Sequence, residues 1–144
     1  GLIKLLHLAA AIVWMGGMGF MLLALRPAAL VALEPPLRAR LMLEVWRRFF
    51  LMVWVAIALL LASGLYLYLA AAQAGPGWQI MLGLGLTMFA LFGHLYFAGF
   101  RRFRRALAAG QGPVAARAAA LILGLAWVNF TLGWLAIAAV RLWP

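Results

Sequence analysis

Of the 144 residues 69% are hydrophobic, and the mean hydropathy is +1.11, where an ordinary soluble domain is about half apolar. The formal net charge is +10, yet Glu34 and Glu44 are the only acids and cysteine is absent. A soluble globular domain, a carboxylate-pair enzyme in the membrane, disulfides and thiolate metal sites are thereby excluded.

Four apolar stretches, about 2–25, 49–72, 78–100 and 118–140, are each long enough to cross a hydrocarbon core of ~30 Å. The expected fold is therefore all-α: a single integral membrane domain over 1–144, built as a four-helix transmembrane bundle. The first stretch is too long and too rich in Gly, Met and Trp for a signal-peptide core, and no small-residue cleavage site follows it. Gly1 is not an initiating residue, so further residues are expected before it.

After the first span, "RPAALVALEPPLRARLMLEVWRRFF" breaks at Pro35–Pro36, then carries Leu37, Leu41, Met42 and Val45 at helical spacing among arginines. This pattern predicts an amphipathic cytoplasmic segment leading into span two. "AQAGPGW" reads as the outer turn between spans two and three, and "AAGQGPVAA" as the turn on the other side. Arg26, Arg38, Arg40, Arg47 and Arg48 lie between spans one and two, and Arg101, Arg102, Arg104, Arg105 and Arg117 between spans three and four. Only Lys4 and Arg141 fall on the opposite side. Positive residues mark cytoplasmic loops, so the bundle is expected N-out and C-out as a multi-pass protein of a bacterial inner membrane. "RRFRR" then anchors orientation and touches anionic lipid, and no nucleic-acid partner is expected.

Small residues recur in the spans (Gly16, Gly17, Gly19, Ser63, Gly64, Gly83, Gly85, Gly124, Gly133) and allow close helix approach. Two copies could pair through the same faces, so a homo-oligomer is an admissible assembly. Trp46, Trp78, Trp134 and Trp143 fit interfacial belts, whereas Trp14, Trp54 and Trp127 are expected inside the bundle.

Polar groups at depth are costly and mark functional candidates. Ser63, Thr87 and Thr131 can bond back to their own helices; Asn129, near the midplane, needs a neighbouring helix. Lys4 is near enough to the outer edge to snorkel, or to bind an anionic group beside His7. With Arg26 aligned beside Arg101, His7 and His94 differ by 12 positions, roughly 18 Å at 1.5 Å per residue. One iron held by both is therefore not expected. Met81 falls level with His7, and His7, Ala11, Trp14 and Met18 share one helical face. Imidazole plus thioether suits Cu(I) or a His/Met haem, and a ladder through Met88, Met15, Met18 and Met21 would lead to His94.

"KLLHLAAAIVWMGGMGF", "LRPAALVALEPPLR", "RRFFLMVWVAIALLLASGL" and "GHLYFAGFRRFRRALAAG" resemble the small stand-alone CopD-like (copper resistance D) family of bacterial inner-membrane proteins. A looser similarity runs to HemJ-type protoporphyrinogen oxidases, four-helix membrane proteins that bind haem b. Lys4, His7, His94 and Asn129 match that pattern, whereas Phe130 stands where a Glu would follow the Asn, and "WQIM" replaces a histidine. Two readings follow. In the first, His7, Met81, Met18 and His94 are metal ligands of a protein that binds or transports copper from the periplasmic side, without enzyme activity. In the second, His7 is the axial ligand of a b-type haem in a membrane oxidoreductase. Lys4 then pairs with a propionate, Trp14 packs on the ring, Asn129 belongs to the cofactor site, and Gly16, Gly17 and Gly83 make room.

Overall fold

In a computed structural model that describes residues 1–144, the chain is all-helical. Four continuous helices are long and apolar enough to cross a membrane: α1 Leu2–Ala32, α2 Pro35–Ala70, α3 Pro76–Ala108 and α4 Gly112–Leu142. Proline opens α2, α3 and α4, where its missing N–H would have had no intrahelical partner anyway. Gly110, at φ +70°, turns the chain between α3 and α4 in a conformation that disfavours a side chain.

The helices run past the expected spans at the arginine-rich end. α2 alone has 36 residues, about 54 Å at 1.5 Å per residue, against ~30 Å of hydrocarbon. The segment between spans one and two is thus divided: 26–32 extends α1, 35–48 extends α2, and only Leu33–Glu34 breaks the helix. Met42 and Trp46 on this extension are fully buried, and Trp46 meets Phe103 of α3 edge-on at 5.1 Å.

α1 packs along α2, and α3 along α4. The two pairs join through an aromatic core centred on Phe92, which contacts Trp14, Phe50 and Trp54 at centroid distances of 6.2, 5.4 and 4.9 Å. The Gly77 N–H donates to Trp143 O at 2.9 Å, so the start of α3 and the end of α4 meet. His7 of α1 meets Ser63 of α2 at that same end, and both arginine-rich turns lie at the other.

Two helices contain a wide π turn, Met21–Leu25 in α1 and Leu95–Phe100 in α3, each ending immediately before an arginine. In α1 the cause is Pro27, which offers no N–H and crowds the carbonyl four residues back. In α3 the wide turn lies against α4 at Gly99, where a Cβ would come within 2.8 Å of Ile122 Cγ1.

Two tryptophans depart from their expected places. Trp46 is not in an interfacial belt but sealed between Phe50 and Phe103. Trp127 is 43% exposed on the outer surface of α4, because Ala126 and Asn129 take the inward face.

Candidate functional site

His7 is half-buried where α1 crosses α2. Its ring packs on Gly64, a position where a Cβ would stand 3.3 Å from His7 Cε1. Ser63 Oγ lies 2.9 Å from His7 Nδ1 and 2.5 Å from Leu59 O. A carbonyl can only accept, so the single hydroxyl proton of Ser63 is committed to Leu59, and its oxygen accepts from His7 Nδ1–H. This network assigns the neutral ring to the Nδ1–H tautomer and leaves the Nε2 lone pair free. A ligating imidazole usually donates its other ring N–H to an acceptor that orients it, and here the Ser63 oxygen is that acceptor. Ser63 is the only serine in the chain, and back-bonding to Leu59 O, with a longer contact of 3.4 Å to Leu60 O, leaves the bond to His7 as its one link to another helix.

The other expected ligands divide into separate groups. Lys4 is exposed one turn before His7. Met81 is half-buried on α3, and no hydrogen bond joins it to His7, whose ring is fixed from α2. His94 is exposed on the outer face of α3, because Met88, Phe92 and Leu95 take its inner face. It therefore lies outside the core group that holds Met18.

Trp14, Met18 and Asn129 do come together. They line a small internal cavity of about 10 Å³ with Met21, Phe92 and Ala126. Asn129 is 1% exposed; its Nδ2 donates to Met88 O across the α3–α4 interface at 3.2 Å, as expected of a midplane amide, while its Oδ1 is buried without a donor. One turn further along α4, the space at Gly133 is filled by Met15 Sδ and by Met88 Cε, the latter 3.2 Å from where a Cβ would stand. Met18 and Met21 thus lie beside Asn129, and Met15 and Met88 meet one turn on at Gly133. The sequence ladder named these methionines but not the glycine that lets two of them meet. No group of three or more His, Asp or Glu side chains assembles, so a hard-cation or zinc-type donor set does not form.

The residues expected to cradle a haem do not converge. The Gly17 notch is filled by the Phe49 ring, while Gly16 and Gly83 face open space. Trp14 stacks on Phe89 at 5.9 Å, so its face is already covered. His7 and Asn129 bear on different helix interfaces, α1–α2 and α3–α4. Compared with protein-family models, with curated proteins and with solved structures, the chain matches none.

Proposed function

We propose that this is a multi-pass membrane protein that binds and passes Cu(I). His7 Nε2 is the entry ligand, and the thioethers of Met15, Met18, Met21 and Met88 beside Asn129 form an inner station. The observation that carries the reading is the Ser63 hydroxyl, which fixes the His7 tautomer with Nε2 unprotonated. Neutral imidazole and thioether are soft donors, and with both acids of the chain remote from them nothing in the bundle competes for hard cations. Met15 lies eight residues from His7, roughly 12 Å along α1, so the two stations are successive rather than one shared site. The positive-inside rule, applied to the arginine-rich turns, supports a reading in which this His7 end faces the periplasm of a bacterial inner membrane, N-out and C-out. Copper handling also agrees with the CopD-like resemblance.

The test is competition for Cu(I) between the purified protein and a chromogenic chelator. Wild type should remove Cu(I) from the chelator, and His7→Ala should lose the outer-site stoichiometry. Ser63→Ala should keep the stoichiometry but bind about tenfold or more weakly, the usual cost of a lost orienting partner. If His7→Ala matches wild type, the reading fails; a Soret band in the purified protein would replace it with the haem reading.

A further inference from the structure

At the arginine-rich end, a pocket of about 310 Å³ opens between the end of α3 and the first turn of α4. Its polar wall is Arg102, Arg105 and Gln111, and its apolar wall includes Phe97, Ala98 and Val114. Ala98, Arg102 and Arg105 share one face of α3 by helical spacing.

The charge of this pocket has no counterpart within the chain. The only ion pairs are Arg47 and Arg48 with Glu44, on α2. Arg101 and Arg104, the neighbours of the pocket arginines, instead lie over the rings of Phe97 and Phe100 at 4.8 and 5.7 Å. Arg102 and Arg105 have neither carboxylate nor ring. At the head of α4, Pro113 has no N–H, and the Val114 N–H, on the pocket wall, has no backbone acceptor. Helix starts of this kind favour an anion.

We infer that this pocket holds the phosphodiester headgroup of an anionic phospholipid, with Arg102 and Arg105 on the phosphate and the acyl chains leaving over Phe97. The apolar wall selects a lipid over free phosphate: Phe97 is 53% exposed and continues into the membrane-facing surface of α3. Basic pockets between spanning helices recognise headgroups in this way. The inference stands independently of the copper reading, since no residue is shared.

The full-length protein in phosphatidylcholine nanodiscs, titrated with phosphatidylglycerol and read by native mass spectrometry, tests it. One phosphatidylglycerol should be retained preferentially. Arg102→Gln or Arg105→Gln should each weaken retention about fivefold, and the double variant about thirtyfold, at ~1 kcal/mol per arginine. Arg104→Gln with Arg117→Gln removes the same charge away from the pocket and should weaken it less than about threefold. Equal losses in the two double variants would mean diffuse attraction and overturn the site, as would no loss in R102Q/R105Q. Inorganic phosphate that displaces phosphatidylglycerol at equal concentration would also overturn it. Helicity by circular dichroism confirms that each variant is folded, and the single variants decide the matter if the double is not.

Discussion

Gly77→Ala should lower the stability of the bundle by about 1–3 kcal/mol or more, the usual range for overpacking. A Cβ at this position would collide with the carbonyls of Ala139 and Trp143, which are backbone and cannot rotate aside. It would also prise apart the hydrogen bond from Gly77 N–H to Trp143 O. With little hydrophobic drive between helices in lipid, close backbone contact supplies much of their association, so this junction has no substitute. Gly83→Ala is the matched control, because nothing lies within 4 Å of its Cβ position. That change should be neutral or stabilising, since alanine is the better helix former by about 1 kcal/mol. Thermal unfolding in one detergent checks both, and equal midpoints for the two variants would refute the close-contact argument.

The second large effect is at Asn129. Asn129→Asp places an ionisable carboxyl at the bundle centre and should cost about 2.5–3.5 kcal/mol, as for charges placed mid-span. Asn129→Leu should change stability by less than about 1 kcal/mol. It removes the bond to Met88 O but also the unpaired Oδ1, and the second loss offsets the first. If the amide serves the inner station proposed for Cu(I), the leucine variant should fold normally yet bind Cu(I) more weakly there. Denaturant titration beside chelator competition separates the two properties. A leucine variant that takes up Cu(I) like wild type would remove Asn129 from the site.

Hydropathy made the four helices legible, because an apolar stretch of about 20 residues can satisfy its own backbone polar groups in lipid only as a helix. It did not show where they end. Arginine is also a good helix former, so the helices run on through charged segments that the apolar criterion had set aside. Hydropathy carries no information on rotation about a helix: Trp46 and Trp127 exchange their expected surroundings for that reason. The same limit applies to His94, whose level was estimated but whose outward face was not. Met18, Trp14 and Asn129 do meet, because 14 and 18 are one turn apart on α1 and the midplane amide needed a partner. The link from His7 to Ser63 was within reach. The only serine in the chain, beside a glycine in the half of span two away from the arginines, is what a histidine at that level would select.

The wide turn at Leu95–Phe100 changes how chain length relates to register in α3. A π turn is a regular helix that has accepted one surplus residue. Deleting Ala98 should therefore be absorbed as ordinary α-helix, with the downstream arginines still facing as they do now. Deleting Ala90, in regular helix, should swing everything after it by about 100° and unseat Phe92 from Trp14, Phe50 and Trp54 on the neighbouring helices. Comparing the unfolding midpoints of the two deletions would reveal this, and equal damage from both would disprove it. Length changes between this chain and its evolutionary kin would then be tolerated inside the bulge and purged elsewhere in the helix.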